Sequence, residues 1–318
     1  MVEAVFLDLD SVDRGDMDLA TLRAAWPRWR FHRQTRPQQV VERLRGVEVA
    51  VTNKVVLDAE TLASAPALKM IAIAATGTNN VDLTAAKARG IIVANVRGYA
   101  TPSVVQHVFG LMLALTLRLS DYREAVRQGA WGRSEQFCLL DFPIRELAGK
   151  TLGVVGYGEL GHAVTSLAEA FGMRVQIAQR PGGPERPGRV PLDALLADAD
   201  VLTLHCPLAD NTRNLIGARE LRLMKNDALL INTARGGIVD EEALAEALRL
   251  GEIGGAGVDV LTREPPVEGN PLLDEGLPNL IVTPHIAWAA RESRQRLLDE
   301  VAANIRAYRA GGERNRVC

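Results

Sequence analysis

Short apolar runs rich in Val and Ile alternate with longer segments of helical periodicity along most of the chain. Ala4–Leu9, Val47–Thr52, Met70–Ala74 and Ile91–Val96 read as strands, with Ala59–Ala65 and Thr84–Arg89 as helical segments between them. A second series starts after Lys150: Thr151–Val155, Arg174–Ala178, Val201–His205, Ala228–Asn232, Gly255–Val260 and Leu280–Thr283. Alternation of this kind predicts parallel sheets with helices on both faces, and two series predict two α/β domains. The boundary falls near Gly98-Tyr99-Ala100-Thr101-Pro102, just before an apolar helical stretch, Val104–Leu117. A charged amphipathic helix from Ala289 to about Ala310 follows the final strand and is expected to cross back onto the first domain. Pro181–Gly188 is a loop by composition.

Composition narrows the function classes. At 318 residues the chain exceeds the usual size of one domain, and 47 % hydrophobic with 24 % charged residues is an ordinary globular balance. A net charge of −2 without a Lys/Arg-dense block argues against nucleic acid and anionic membranes as partners. No apolar run approaches the ~20 residues of a membrane helix, so Val104–Leu117 reads as buried. Cys138, Cys206 and Cys318 form no C-x-x-C pair, and acids stand at the N-terminus where a signal peptide has bases. Both features read as a reducing, cytoplasmic location. Cys and His are too dispersed for a metal site, so none is expected.

The strand Thr151–Val155 runs into Gly156-Tyr-Gly158-Glu-Leu-Gly161, and a helical pattern, Ala163–Phe171, follows. In this context the glycines match a dinucleotide-binding turn. Gly156 permits the tight bend, Gly158 lets the backbone approach a pyrophosphate, and Gly161 lets helix and strand pack closely. Phosphates then meet unpaired N–H groups at a helix N-terminus. The acid expected about 20 residues on, for the adenosine ribose, is missing. The strand Arg174–Ala178 ends in Gln179-Arg180. Gln179 can hydrogen-bond a ribose hydroxyl without repelling a 2′-phosphate; Arg180 either pairs with such a phosphate or faces solvent. NAD and NADP both remain open.

Ligands of open α/β sheets bind beyond the carboxyl ends of the strands. Those ends carry Arg235, Asp259, Glu264 and His285, with His205 and Cys206 ending a further strand. Such a convergence of ionisable groups suggests chemistry. Each has a plainer reading: Arg235 bracing its loop, Glu264 pairing with Arg263, His285 as a satisfied buried histidine. His205, close before Pro207, reads as structural, and His32, His107 and His162 as bland.

Gly-Tyr-Gly-Glu-Leu-Gly, Asn-Thr-Ala-Arg-Gly-Gly, Asp-Val-Leu-x-x-Glu-Pro-Pro and Thr-Pro-His-Ile-Ala-Trp, in this order, resemble the D-isomer-specific 2-hydroxyacid dehydrogenases over nearly the whole chain. Val51–Val55, Ala74–Asp82, Gly98–His107 and the Trp288 ending are most similar to the glycerate dehydrogenase, or hydroxypyruvate reductase, subgroup. The resemblance implies two Rossmann-like doubly wound domains. One is a split, flavodoxin-like substrate domain of residues 1–98 and 288–318; the other is an NAD(P)-binding domain of residues 99–287. Dimerisation through the cofactor domain, by the apolar helix after Thr101, is implied as well.

A catalytic set of Arg235, Glu264 and His285 is also implied. A guanidinium fork binds the coplanar carboxylate and carbonyl of a 2-keto acid and steadies the charge growing on the oxygen. His285 exchanges a proton with that oxygen, and Glu264 fixes the imidazole tautomer. By the same resemblance the cofactor contacts Gly156, Gly158, Glu159, Leu160, Gly161, Thr233, Ala234, Arg235, Asp259 and His285. Val105 is placed near the nicotinamide, Cys206 and Pro207 near the adenosine. Lys54, Ala75, Thr76, Gly77 and Trp288 are placed at the substrate, with Arg97 as a further anion-attracting group. The implied reaction is reversible hydride transfer on a small D-2-hydroxy acid, hydroxypyruvate/D-glycerate or glyoxylate. Alternatives are phosphoglycerate or a bulkier keto acid, and a dinucleotide-sensing corepressor-like protein on the same fold. A formate dehydrogenase is disfavoured by Glu264, where those proteins carry glutamine.

Overall fold

A strand that is apolar at consecutive positions has no face to give to water, so runs such as Val-Ala-Val and Leu-Leu-Ile require cover on both sides. The computed structural model, which describes residues 3–318, provides it in two units. The first comprises the chain up to Ala100 together with Trp288–Cys318; the second is Thr101–Ala287.

Among the described residues of the first unit, five strands form one parallel sheet: β1 (Glu3–Phe6), β2 (Trp29–Phe31), β3 (Val47–Thr52), β4 (Met70–Ile73) and β5 (Ile92–Ala94). Their order is β2-β1-β3-β4-β5, the flavodoxin-like winding. Successive side chains leave for opposite faces. Phe6, Val49, Val51 and Met70 pack with Leu297, Val301 and Ile305, while Val5, Ala50 and Ile71 pack with Leu44 and Leu62 on the other face. The helix Arg291–Arg309 therefore does return to this sheet, lying against β4 and the helix Ala20–Ala25. The strand β2 escapes a reading of apolar runs because it is three half-buried residues, Trp29-Arg30-Phe31, at the sheet edge. At the opposite edge the C-terminal residues pair with β5: Val317 N–H donates to the Val93 carbonyl, and Val93 and Asn95 donate to the carbonyls of Cys318 and Asn315.

The second unit holds β6 (Thr151–Val155), β7 (Arg174–Ile177), β8 (Val201–Leu204), β9 (Leu229–Asn232), β10 (Gly255–Val258) and β11 (Leu280–Val282), all parallel. The order is β11-β10-β9-β8-β6-β7, so the winding reverses between β6 and β8, where open α/β sheets bind ligands. Leu202, Leu204, Leu230, Leu244 and Leu248 fill one face. The apolar stretch after the boundary is the helix Thr101–Thr116, which lies over β9, β10 and β11. It buries Val104, Val108, Leu111, Met112 and Leu115. Among the described residues no single helix is long and apolar enough to cross a membrane.

Candidate active site

The glycine turn leaves β6 at the point of reversal. Gly156 has φ +93°, and a Cβ on it would meet the backbone nitrogen of Cys206 at 2.5 Å, so both conformation and crowding exclude a side chain. A Cβ on Gly161 would lie 2.2 Å from the Gly156 oxygen, which fixes the close approach of turn and helix. Gly158 is the opposite case: a Cβ there would meet nothing within 4 Å. It stands before the helix Glu159–Ala170, over its open N-terminal N–H groups. The carboxylate of Glu159 takes the Thr101 hydroxyl. Thr233, after β9, has a buried hydroxyl with no hydrogen-bond partner among the described residues. A space over a helix N-terminus and an orphaned hydroxyl on the same sheet edge fit a dinucleotide.

Arg235 is exposed beyond the end of β9 and makes no ion pair among the described residues. Its loop is nonetheless fixed. Asn232 is buried, donates from Nδ2 to the Arg235 carbonyl at 3.1 Å and accepts the Ala234 N–H at 3.1 Å. Arg235 Nη1 donates to the Ala234 carbonyl at 2.7 Å. Gly236 lies directly on the next loop, where a Cβ would stand 2.0 Å from the carbonyl carbon of Leu261. That loop carries Glu264. Glu264 Oε1 accepts the Leu261 N–H at 2.9 Å, and Oε2 lies 2.6 Å from His285 Nδ1. The pairing of Glu264 with Arg263 does not form; Arg263 turns to Glu268. An ionised carboxylate only accepts, so Nδ1 carries a proton and Nε2 is the variable nitrogen. The side chains of His285 and Glu264 are 30 % and 34 % exposed, open enough to meet a ligand.

His285 has φ +55°, a left-handed conformation costing about 1–3 kcal/mol in a residue with a Cβ. Asp259 holds it there. The Asp259 carbonyl accepts the His285 N–H at 2.8 Å, and its carboxylate accepts the N–H groups of Ile286 and Ala287, each at 2.9 Å, and the Thr283 hydroxyl at 2.5 Å. The side chain is 1 % exposed. Asp259 thus suspends the histidine loop. His107, read as bland, is not: its Nε2 lies 2.9 Å from Thr283 Oγ1 and 3.5 Å from Asp259 Oδ1. Sequence reasoning also passes over Glu241, which accepts from the N–H and hydroxyl of Thr262 and from Asn270 Nδ2 and so pins the Glu264 loop. The hint for His107 is an imidazole in a mostly apolar helix. Two acids at the start of the helix Glu241–Leu250 are already explained by the helix dipole, so Glu241 gave none.

Around the far end, Gln179 does not reach outward: Nε2 donates to the Arg186 carbonyl at 3.2 Å and Oε1 accepts the Arg186 N–H at 3.3 Å, closing the loop after β7. Arg180, Arg186 and Arg189 make no ion pair among the described residues, and Arg189 lies 4.7 Å over the ring of Tyr157 in the glycine turn. His205 is structural, with Nε2 on the Thr203 hydroxyl and burial pushing its pKa down to about 4. Burial likewise pushes the Cys206 thiol up, so this cysteine behind Gly156 stays protonated. The Pro207 carbonyl accepts from Thr212. Val105 lines an apolar groove of about 590 Å³ with Phe109, Leu113, Leu167 and Phe171.

Within the first unit, Thr76 donates to the Val96 carbonyl at 2.7 Å, and its own carbonyl accepts from Asn95, so the Ala75–Gly77 loop after β4 is braced from both sides. Lys54, after β3, lines a cavity of about 630 Å³ with Asp8, Ser11, Arg33 and Thr35. Trp288 meets Tyr99 edge to face at 6.4 Å.

Residues 109–287 match the model of the D-isomer specific 2-hydroxyacid dehydrogenase NAD-binding domain. The glycerate dehydrogenase of Methylorubrum extorquens is 49 % identical, covering 98 % of either chain. The hydroxypyruvate reductase of Blautia hydrogenotrophica is 35 % identical, covering 99 % of either chain. The crystal structure of an NADPH-dependent glyoxylate/hydroxypyruvate reductase from Sinorhizobium meliloti superposes with a TM-score of 0.83 at 28 % identity, covering 100 % of this chain and 98 % of that one. A family model matching more than half of the chain, and a relative 49 % identical over nearly all of it, show that the chain belongs to the D-isomer-specific 2-hydroxyacid dehydrogenase family.

Proposed function

We propose that this NAD(P)-dependent oxidoreductase reduces hydroxypyruvate to D-glycerate and accepts glyoxylate. The observation that carries the reading is the 2.6 Å contact between His285 and Glu264, on a loop that meets the Arg235 loop at Gly236, while among the described residues Arg235 pairs with no carboxylate. A reduced nicotinamide, when bound, supplies the hydride. Arg235 binds the substrate carboxylate and carbonyl together, in the plane its fork dictates, and draws electron density toward the oxygen. His285 Nε2–H delivers the proton to that oxygen as C2 is reduced, leaving a 2-hydroxy acid and a neutral imidazole. In the reverse direction the same nitrogen takes the proton back. Glu264 keeps the proton of Nδ1 in place, so only Nε2 exchanges. The relatives are named for glycerate, hydroxypyruvate and glyoxylate, which supports the choice of a small keto acid.

The reading extends to NADP(H) as a working cofactor. No acid stands at the tip of β7, Gln179 is neutral and internally bonded, and Arg180, Arg186 and Arg189 in the segment that follows the strand form no ion pair among the described residues. Arg180→Ala is expected to raise KM for NADPH and leave that for NADH. The enzyme is further proposed to be a homodimer in which a second copy covers the apolar groove between the helices Thr101–Thr116 and Glu159–Ala170, with a reducing cytoplasm for its three free thiols. Light scattering on the purified chain tests the dimer. The central test is steady-state kinetics: His285→Ala should abolish turnover with cofactor affinity retained, and Arg235→Ala should lose substrate affinity as well. Near-normal kcat/KM in both variants would refute the assignment.

A further inference from the structure

We infer that His107 and Thr283 are positioning residues that set the aim of His285 through the carboxylate of Asp259. The inference rests on the reading of His285 as the proton donor. Asp259 is buried, and among the described residues neither lysine nor arginine pairs with it. A carboxylate in that situation depends on neutral donors. Thr283 Oγ1 stands 2.5 Å from Oδ1, the Ile286 N–H 2.9 Å from the same oxygen, and the Ala287 N–H 2.9 Å from Oδ2.

This chain of donors has only one polarity. The carboxylate accepts, so the single hydroxyl proton of Thr283 points at Oδ1. The Thr283 oxygen is then the acceptor toward His107, and Nε2 at 2.9 Å carries the proton it receives. His107 is fixed by the helix Thr101–Thr116 and its side chain is only 19 % exposed, so it holds the hydroxyl in its donor rotamer from a rigid element. The Thr283 carbonyl also accepts the His285 N–H at 3.0 Å. Residues 283, 285, 286 and 287 thus all hang on Asp259, and His107 locks its far side. Glu264 fixes the ring at Nδ1; this second device fixes the backbone from which the ring projects. Without the Thr283 hydroxyl the carboxylate loses a donor and the His107 N–H faces a methyl group. The segment then drifts and the imidazole loses its direction. The cradle at Gly156–Gly161, on another strand, is untouched.

The test uses the full chain with hydroxypyruvate and NADPH, comparing Thr283→Val with Thr283→Ser and His107→Leu with His107→Gln. Both conservative variants keep the needed hydrogen-bonding groups. Thr283→Val is expected to lower kcat roughly ten- to hundredfold and His107→Leu in the same direction, since an ångström of misplacement has that scale. Thr283→Ser and His107→Gln should recover most of the loss. The NADPH Kd from fluorescence quenching should stay near wild type in all four, while Thr283→Val and His107→Leu melt lower because a buried carboxylate or its hydroxyl loses a donor. Equal kcat in the Val and Ser variants, or losses matched by weaker NADPH binding, would overturn the inference. His285→Ala is run alongside. If it keeps wild-type kcat, the proton-donor reading falls and this inference with it; if it is inactive while Thr283→Val is unaffected, the positioning role alone falls.

Discussion

A single methyl group added at Gly236 tests how firmly the arginine loop and the glutamate loop are joined. An ideal Cβ there would stand 2.0 Å from both the carbonyl carbon and the oxygen of Leu261, and 2.3 Å from the Thr262 nitrogen. Ordinary contact begins near 3.4 Å, so backbone must yield by about 1.4 Å. No left-handed φ is involved at Gly236, so the effect is collision alone. Leu261 cannot retreat by itself, because its N–H is held by Glu264 and the neighbouring Thr262 is held by Glu241. The displacement is therefore passed to the carboxylate that steers His285. A shift near 1 Å at reacting groups costs on the order of 10²-fold in rate, equivalent to about 2.7 kcal/mol of transition-state stabilisation. Overpacking costs about 1–3 kcal/mol of stability. Gly236→Ala should therefore lower kcat/KM for hydroxypyruvate about a hundredfold, with a thermal midpoint lower by several degrees and NADPH affinity intact. Stopped assays by NADPH absorbance, a fluorescence titration and a melting curve read the three quantities. A variant within about threefold of wild type in kcat/KM would show that the loops are not mechanically linked.

Three further outcomes follow from particular contacts. Glu264→Gln replaces a group that only accepts with an amide that can also donate, so the tautomer of His285 is no longer fixed; kcat should fall about 10²-fold with little change in NADPH Kd, and an unaltered kcat would remove Glu264 from the proton path. His205 is held neutral by burial with a pKa of about 4, whereas an unfolded histidine titrates near ~6.5. The unfolded chain takes up this proton first, so the stability contribution is complete above ~6.5 and declines as pH falls toward 4. By pH 5 the loss is about 2 kcal/mol. Urea midpoints at pH 7 and pH 5 should therefore drop more for wild type than for His205→Gln, and parallel drops would contradict the assignment. Deleting residues 313–318 strips three backbone hydrogen bonds from the β5 edge. Such a chain should melt lower and scatter light through edge pairing, in contrast to a merely shortened one.

How much of this was legible in the sequence depended on the range of the interaction. Val47–Thr52 and Thr151–Val155 end where the apolar runs end, because double-sided burial is a local requirement. Trp29–Phe31 was illegible: three half-buried residues among arginines have no periodicity to read. The glycine turn could be read because each glycine answers a local demand of conformation or approach. The Glu264–His285 contact spans 21 residues and had to be argued from motif resemblance. His107 and Thr283 lie 176 residues apart, and nothing in either neighbourhood announces the other. The bonds of Gln179 were illegible for a related reason: both ends of its amide meet the backbone of Arg186, seven residues on in a loop without periodicity.

The acids around the site share a trait that bears on why Arg235 stays available. Asp259 is met by backbone N–H groups and a hydroxyl, Glu241 by a backbone N–H, a hydroxyl and an amide, and Glu264 by a backbone N–H and the imidazole. None forms an ion pair with Arg235. Had any of these carboxylates paired with the guanidinium, a keto acid would have to displace it, at the cost of leaving a partly buried charge unpaired. Meeting each acid with neutral donors or the His285 imidazole fixes it in place without drawing on the arginine. The positive charge is then left for the substrate, and the acids act through geometry. A carboxylate introduced within reach of the guanidinium, as in Gly236→Asp, should therefore raise KM beyond the loss seen in Gly236→Ala, and high salt should narrow the difference between the two. Equal KM values for the alanine and aspartate variants would mean that the charge on Arg235 does not govern substrate capture.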